Sequence, residues 1–421
     1  MLFFNCPSSH IPFVLFVPLL IFFLSPLDQR HFHLFHSFIS QNHTHTKHGT
    51  TKILPTYQLL NITTETSISL INNVSEEKVL KKKSGLEEIE LGLARARASI
   101  RRAVTTRNYT SYKEENYVPR GAIYRNAYAF HQSHIEMERR FKVWTYKEGE
   151  PPLIHEGPCH SIYSVEGQFI NEMESGRSPF SARHPHEAHA FFLPVSIANV
   201  ISLVNKPSKS YSRDPLQHLV TDYISIISNK YPYWNRSQGA DHFLVSCHDW
   251  APDVSRANPM LFNNLIRVLC NANTSEGFQP KRDVAIPEIN IIHYDLLPTM
   301  DVGQSPSNRS ILAFFAGGAH GHIRELILEH WKDKDDEVQV HDSLPVGQNW
   351  SQFSVQIPID RIEDIKAILQ NITLARYLML QARVIDVQRH FLLNRPAQSF
   401  DLTHMVLHSI WLRRLNLRLP Y

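Results

Sequence analysis

Cysteine is scarce in this chain: there are four among 421 residues, and no two of them form a C-x-x-C pair. This spacing excludes a zinc ribbon. Three of the four, Cys159, Cys247 and Cys270, lie well beyond the N-terminal region. At most one disulfide can therefore join two of these three.

Metal-ligand patterns are lacking as well. In the histidine-rich stretch 184–189, His186 and His189 are three positions apart, whereas a metalloprotease helix places its histidines four apart around a glutamate. The Asp333–Asp335 pair has the D-x-D form in which two carboxylates can hold a divalent ion. It follows a predicted helix in a wholly charged stretch, which favours a solvated turn. We predict no metal site, and expect Glu187 and His189 to be structural or loop residues near a cleft.

Charge of one sign is not concentrated either. Lys and Arg number 43 against 40 Asp and Glu, which gives a formal net charge of +3. A nucleic-acid-binding protein needs a basic surface, so we expect no nucleic-acid partner. The hydrophobic fraction of 43% is typical of globular proteins, and 421 residues can accommodate two compact domains.

The longest apolar run lies near the N-terminus, over residues 11–27. It is long enough to span a bilayer, and no small-x-small cleavage motif follows it. We predict an uncleaved transmembrane signal anchor, with a cleaved signal peptide as the alternative. Residues 1–10 would then form a cytosolic tail and 28–116 a stem. Nine N-x-S/T tripeptides follow the anchor, and their density predicts a lumenal, glycosylated body.

Within the predicted stem, Leu86, Leu93 and Ile100 belong to an apolar repeat at helical spacing. This amphipathic helix has two interpretations: it packs against its own domain, or it pairs with a second copy or a partner protein. Beyond the stem, short apolar strands alternate with longer helices, which is typical of an α/β fold with a parallel sheet. We place a first lobe at 117–307 and a second lobe at 308–421.

A glycine-rich turn follows an apolar strand at 311–315 and precedes an amphipathic helix that begins near Ile323. Such a turn brings backbone N–H groups close to an anion, and the helix points its positive end at that anion. The arrangement predicts a diphosphate site; the alternative is that the glycines serve only the backbone of the turn. The residues assigned to this site are Gly317, Gly318, His320, Gly321 and Arg324.

Polar residues also follow the buried strand that is predicted over 242–246. Ligands of parallel α/β sheets bind beyond the carboxyl ends of the strands. His248 and Asp249 are therefore candidates to take a proton from a hydroxyl nucleophile. The alternative is that both residues cap a turn. Further along, the pattern predicts a helix over 261–270.

The second lobe is short for a nucleotide-binding domain. Only three strand candidates precede its terminal helices, fewer than a doubly wound sheet usually has. Residues 344–350 join two of these strands without a crossover helix, which a parallel connection requires. The sequence therefore predicts that part of this lobe is missing.

Eight motifs characterise the body of the chain: 124–127 (YRNA), 141–144 (FKVW), 166–169 (EGQF), 188–194 (AHAFFLP), 241–243 (DHF), 248–252 (HDWAP), 314–318 (FFAGG) and 408–414 (HSIWLRR). With these motifs, the sequence from about Leu91 to the end resembles the plant exostosin-like glycosyltransferases. The resemblance implies a GT-B fold of two Rossmann-like lobes in a single-pass type II membrane protein of the Golgi. It also implies inverting, metal-independent transfer from a nucleotide-sugar donor to a cell-wall polysaccharide or related glycan, without a further cofactor.

One departure from this family lies in the second lobe. Family members carry a long segment around F-C-L-C-P-S-G between a Leu-Pro-x-Gly turn and an Asn-Trp motif. It supplies much of the donor pocket, including a glutamate expected to grip the nucleotide sugar. Here 344–348 runs directly into Asn349-Trp350. Two hypotheses follow: a glycosyltransferase by descent, or a non-catalytic relative or skipped-exon product that binds only glycan or partner enzymes.

Overall fold

The structure is a computed structural model that describes residues 84–111, 117–204, 212–291, 308–319, 322–341 and 357–419. Within these ranges, no helix combines the length and the apolar character needed to cross a membrane. The predicted anchor at 11–27 and the predicted break at 344–350 both lie outside the described residues.

Five short strands form one parallel sheet, as the alternation of strands and helices predicts. They are β1 Val143–Thr145, β2 Ala190–Phe192, β3 His242–Ser246, β4 Ile266–Leu269 and β5 Val284–Ala285. Their order across the sheet is their order along the chain, and every neighbouring pair is parallel. Among these described strands there is no reversal of order of the kind that a doubly wound sheet contains. All five carboxyl ends therefore face the same edge.

Eleven α-helices occur in the described ranges. They are α1 Gly85–Thr106, α2 Ala127–Arg140, α3 Ser164–Glu174, α4 Ile197–Val204, α5 Asp214–Lys230, α6 Tyr233–Ser237, α7 Pro259–Asn264, α8 His322–Trp331, α9 Ile365–Gln370, α10 Leu374–Gln388 and α11 Leu402–Asn416. Several begin at side-chain caps: Asn126 accepts from the N–H of Ala129, and Asp401 accepts from the N–H of His404. These caps satisfy amides that would otherwise be unpaired at a helix start.

Side chains of β2 and β3 alternate between two buried layers. Phe192 and Phe243 face one core, which α1, α2, α3 and α11 cover. Phe191 and Leu244 face the other core, which α4 to α7 cover. Successive residues of a strand point to opposite faces, so a strand covered on both sides is apolar throughout. The sheet is thus the middle layer of a three-layer α/β arrangement.

The amphipathic helix predicted inside the stem packs against its own domain. Leu93 and Ala96 of α1 are fully buried in the first core. Glu90 forms an ion pair with Arg414 of α11, in which Oε1 and Nη2 are 2.5 Å apart. This part of the predicted stem, 28–116, therefore belongs to the folded body.

The terminal helix α11 also belongs to the first core. Trp411 is fully buried there, and its ring centroid lies 5.6 Å from that of Phe141. The range 308–421 is therefore not a single packing unit, because its last helix returns to the sheet of the first lobe.

One predicted helix is wrong in its extent. The helix expected over 261–270 ends at Asn264, and residues Ile266–Leu269 form β4. All four residues of β4 are buried. Periodicity cannot distinguish so short a buried run from a helix. Pairing with β3 and β5 on either side decides the outcome.

The second α/β unit is small. β6 Ala313–Ala316 and β7 Val338–His341 form a two-stranded parallel sheet, and α8 connects them. The fully buried part of its core consists of Phe315, Ile327, Val338, Val340 and Ile362. On α10, Val387 is the one fully buried residue. The described part of this unit is thus thin, in agreement with the short sequence of the lobe.

The buried ring of His189 predicts a pH-dependent loss of stability. Burial, helped by the charges of Arg414 and Arg236, lowers the pKa of His189 to about 3, and its Nδ1 accepts from the N–H of Lys142 (3.2 Å). Because the folded pKa lies below the unfolded value of about 6.5, stability is complete above that pH and is lost as the pH falls towards 3. In His189→Asn, the amide oxygen can replace Nδ1 as the acceptor.

We predict that His189→Asn loses about 2 kcal/mol less stability than the wild type between pH 7 and pH 5. The measurement is the free energy of unfolding from urea titrations at both pH values. Equal losses for the two proteins would contradict a neutral, buried His189.

Candidate functional site

The turn after β3 places the predicted proton-transfer residues at the carboxyl edge of the sheet. His248 is half-buried and Asp249 is exposed. The ring of Tyr163 stacks on His248 (centroids 4.9 Å apart), and Trp250 lies edge-on to it (5.8 Å). The guanidinium of Arg213 lies 3.4 Å from the centroid of the Trp250 ring. The edge therefore combines apolar rings with hydrogen-bonding groups, as binding sites for small polar ligands do.

The hydrogen bonds of His248 determine which ring nitrogen carries a proton. Nδ1 accepts from the backbone N–H of Trp250 (3.1 Å). In the neutral ring the proton is therefore on Nε2, which makes this side a donor to a ligand. Burial lowers the pKa of His248, although the Asp249 carboxylate opposes that shift. Asp249 in turn offers exposed carboxylate oxygens to a hydroxyl proton; the assignment of either residue as a base stays a prediction.

A disulfide ties this turn to the neighbouring strand. Cys247 directly follows β3 and Cys270 directly follows β4, and the two are bonded with their Cα atoms 4.6 Å apart. The preceding residues, Ser246 and Leu269, are register partners in the sheet. The bond thus continues the pairing of the strands and fixes the start of the turn that contains His248.

A buried carboxylate anchors the same turn. Glu166 of α3 is fully buried and accepts hydrogen bonds from the Ser196 hydroxyl (2.5 Å) and the Ala198 N–H (3.0 Å). Its second oxygen accepts from the N–H of Cys247 (3.1 Å). Burial raises the pKa of Glu166, and the hydrogen bonds oppose that rise. The carboxylate joins the loop after β2 to the turn after β3.

Arg267 of β4 organises the segment that follows the turn. It forms a bidentate ion pair with Asp283, with Nε–Oδ1 and Nη2–Oδ2 distances of 3.0 and 2.5 Å. Nη1 donates to the Pro252 carbonyl and the Ser255 hydroxyl, and Nη2 also donates to the Gly277 carbonyl. All five N–H donors are engaged, so this fully buried guanidinium is fixed in one orientation.

The glycine-rich turn leaves β6 and leads into α8, as predicted. The N–H of Gly317 donates to the carbonyl of His341 at the end of β7 (3.0 Å), so this amide is already used within the sheet. Gly318 and Arg324 are half-buried, and Arg324 lies in the first turn of α8. The described residues do not include His320 and Gly321. A bound anion would therefore rely on amides beyond Gly317 and on the positive end of α8.

An open groove of about 480 Å³ runs along another face of α8. It is lined by His322, Leu326 and His330, and by residues of the segment 359–363. Arg324 is not among its lining residues, since two positions beyond His322 correspond to a rotation of about 200° around a helix. The groove and Arg324 are thus on different faces of α8, and the diphosphate assignment stays a prediction.

The D-x-D pair has a structural role. Oδ1 of Asp335 accepts from the N–H groups of Glu337 (2.9 Å) and Val338 (3.0 Å), and Oδ2 pairs with Nζ of Lys366 (2.6 Å). The interpretation of this stretch as a turn is therefore confirmed. The carboxylate oxygens of Asp335 cap the start of β7 and bind Lys366 of the neighbouring helix α9.

The structure defines a parallel α/β protein with a polar sheet edge and a second, smaller α/β unit. A family model for the exostosin GT47 domain matches residues 137–348. A probable glycosyltransferase of Arabidopsis thaliana is 43% identical over 404 aligned positions, which cover 83% of this chain and 77% of that protein. The chain belongs to the exostosin GT47 family of glycosyltransferases.

Two further relatives from Arabidopsis thaliana match parts of the chain. A probable glucuronoxylan glucuronosyltransferase is 37% identical over 114 residues, 26% of this chain and 25% of its own length. A probable beta-1,4-xylosyltransferase is 28% identical over 186 residues, 42% of this chain and 44% of its own length. Since the two names give different sugars, they do not determine a donor for this chain.

The alignment with the probable glycosyltransferase that is 43% identical contains positions that this chain lacks. It spans 404 positions, whereas 83% of 421 residues is about 349 residues, so about 55 positions of the relative have no counterpart here. The family match ends at residue 348, where the predicted donor-pocket segment is missing. Both observations agree with an internal truncation of the second lobe.

We predict that removal of the Cys247–Cys270 disulfide lowers the free energy of unfolding and changes the fold little. The double variant Cys247→Ser/Cys270→Ser should lose about 3 kcal/mol, because the bond closes a loop of intermediate length in the unfolded chain. The measurement is the urea midpoint followed by tryptophan fluorescence, with the reduced wild type as the matched control. A double variant as stable as the oxidised wild type would contradict the bond.

Replacing Glu166 should disturb the edge locally. In Glu166→Gln, the amide NH₂ group would face at least one of the N–H or O–H donors that the carboxylate now accepts from, so we predict a loss of about 1–3 kcal/mol. Glu329→Gln, at an exposed position of α8, is the control and should lose nothing measurable. Equal urea midpoints for the two variants would refute the anchoring role.

Proposed function

We propose that this chain is a type II Golgi membrane glycosyltransferase that moves a sugar from a nucleotide-sugar donor to a cell-wall polysaccharide or related glycan. The transfer would invert the anomeric centre and use no metal ion in the reaction. Membership of the exostosin GT47 family supports the class of reaction. The observation that supports binding of the acceptor at this edge is the exposed carboxylate of Asp249. Aromatic rings line the edge, and the Cys247–Cys270 disulfide holds it in place.

The residues of this edge have complementary roles in the proposed reaction. Asp249 takes the proton of the acceptor hydroxyl while the oxygen of that hydroxyl attacks the anomeric carbon. The nucleoside diphosphate leaves from the opposite face. His248 donates its Nε2–H to the acceptor and so orients it. The disulfide and Glu166 hold the turn in place before the acceptor binds, which reduces the entropy lost in reaching the reactive geometry.

The departing diphosphate needs positive charge. The first turn of an α-helix has backbone N–H groups without intrahelical acceptors, and the positive end of the helix dipole lies there, so the start of α8 suits a phosphate. Arg324 in the first turn of that helix can donate two parallel hydrogen bonds to phosphate oxygens. These are the groups that we assign to the donor.

Two features of the body support a lumenal location. Disulfides form and persist in oxidising compartments, and Cys247–Cys270 is one. The described asparagines of the N-x-S/T tripeptides are all exposed, as glycosylation requires: Asn108, Asn235, Asn273, Asn308 and Asn371. With the apolar run at 11–27 as an anchor, this places the body on the lumenal side in our proposal.

A second candidate function is binding of a glycan or a partner enzyme without sugar transfer. The thin core of the second unit favours this function. So do the roughly 55 positions that are present in the Arabidopsis relative of 43% identity and absent from this chain. Leu374 of α10 is 69% exposed, and Leu378 and Met379 on the same helix are exposed as well. Such apolar positions are normally covered in a complete lobe.

Binding of UDP to the full chain separates the two candidates. If the proposal holds, about 1 mM UDP should raise the thermal midpoint of the wild type by several degrees, since a ligand that binds only the folded state stabilises it. Arg324→Ala should abolish the shift. Arg376→Ala, at an exposed position of α10, is the matched control and should retain it. No shift in the wild type would favour binding without transfer.

The genomic sequence between the codons for Gly347 and Asn349 provides an independent check. An in-frame exon that encodes F-C-L-C-P-S-G would identify the chain as a skipped-exon product. Continuous coding sequence would show that the truncation belongs to the gene itself.

A further inference from the structure

Three potential metal ligands meet between α2 and α11. His134 and Glu138 lie one turn apart on α2, and His404 lies in the first turn of α11. One ligand atom from each of the three falls within 4.8 Å of the other two. Oε1 of Glu138 is 3.6 Å from Nδ1 of His134 and 3.7 Å from Nδ1 of His404.

The two imidazoles are buried and incompletely hydrogen-bonded. His134 is 1% exposed and His404 is 4% exposed. Nδ1 of His404, which faces the carboxylate, has no hydrogen-bond partner among the described residues, and neither has Nε2 of His134. Buried polar atoms nearly always have a partner, so the orphan nitrogen of His404 indicates an absent ligand.

The surroundings hold the three groups in a form that can bind a cation. Both rings are buried among other aromatic side chains, and a carboxylate oxygen lies between them. The His134 ring stacks on Phe400 (centroids 3.8 Å apart), and the Ser399 hydroxyl donates to Oε1 of Glu138 (2.5 Å). Such contacts orient metal ligands.

We propose that His134, Glu138 and His404 form a zinc site that ties the terminal helix α11 to α2. Two imidazoles and one carboxylate are a known donor set for this ion, with a water as the fourth ligand. Ligands at zinc bond lengths in a tetrahedron lie about 3.4 Å apart. The two carboxylate–imidazole distances, 3.6 and 3.7 Å, are close to this value, whereas all three ligand atoms lie within 4.8 Å of one another, so the two imidazoles would move towards each other when the ion binds. The side chain of Glu138 is 28% exposed and provides the route of entry.

This site is separate from the proposed sugar transfer, because it lies between helices of the first core and contains no residue assigned to donor or acceptor. The sequence gives no signal for it, since His404 lies 266 residues beyond Glu138 in the chain. The expectation of no metal site rested on short-range motifs, and those motifs cannot detect a set of this kind.

The test is zinc binding by the full chain, produced without a histidine tag and freed of metal with a chelator. Wild-type protein should bind one more equivalent of Zn²⁺ than Glu138→Gln, measured by equilibrium dialysis, and only the wild type should gain thermal stability with Zn²⁺. Loss of the one directly ligating carboxylate should lower the affinity for this Zn²⁺ ion by at least about tenfold. Glu138→Gln keeps the size of a partly exposed side chain, so it should fold.

Two further variants complete the test. His404→Leu should also lose the equivalent, whereas His184→Gln/His186→Gln should keep it, because that double variant removes an exposed, stacked histidine pair elsewhere. Co²⁺ should give the visible absorption of a tetrahedral site in the wild type and in the double variant. The same zinc content in the wild type and Glu138→Gln would overturn the proposal.

Discussion

The carboxylate of Glu166 is the contact on which the proposed site depends most. It is buried, and no Lys or Arg in the part of the chain that the structure describes pairs with it; donors from the loop after β2, from the first turn of α4 and from the residue after β3 keep it in place. A buried acceptor with several donors specifies one arrangement of those loops, because any other arrangement would leave a polar group unpaired. The turn with His248 and Asp249 therefore has a fixed position relative to β2 and α4.

The disulfide and Arg267 act on the same edge by different physical means. Cys247–Cys270 limits the unfolded chain and keeps the ends of β3 and β4 in register. Arg267 donates two hydrogen bonds to Asp283 and three to Pro252, Ser255 and Gly277, and so ties together the short 3₁₀ turns that follow β3 and β4. A rigid edge results on the acceptor side, whereas the second unit has only a small core in its described part. The two halves of the proposed reaction thus rest on very different amounts of packing.

Local pattern predicted the elements whose burial is uniform or regularly periodic. The strand His242–Ser246 was predicted to the residue, because five apolar or buried positions are bounded by polar ones. β4 was expected as part of a helix, because periodicity does not distinguish a short buried run from a helix and the partner of its buried charge, Asp283, lies 16 residues beyond Arg267. The role of Glu166 was also invisible, because its partners Ser196 and Cys247 lie 30 and 81 residues away. Contacts of this range depend on the fold and leave no local signal.

The central claim is tested most directly by sugar transfer itself. The full chain would be incubated with a panel of UDP-sugars, including UDP-xylose and UDP-glucuronic acid, and with wall oligosaccharides whose mass is measured. The account predicts an acceptor one sugar heavier with at least one donor, and loss of that product in Asp249→Asn while UDP binding is retained. An acceptor of unchanged mass with every donor, or full activity in Asp249→Asn, would contradict it.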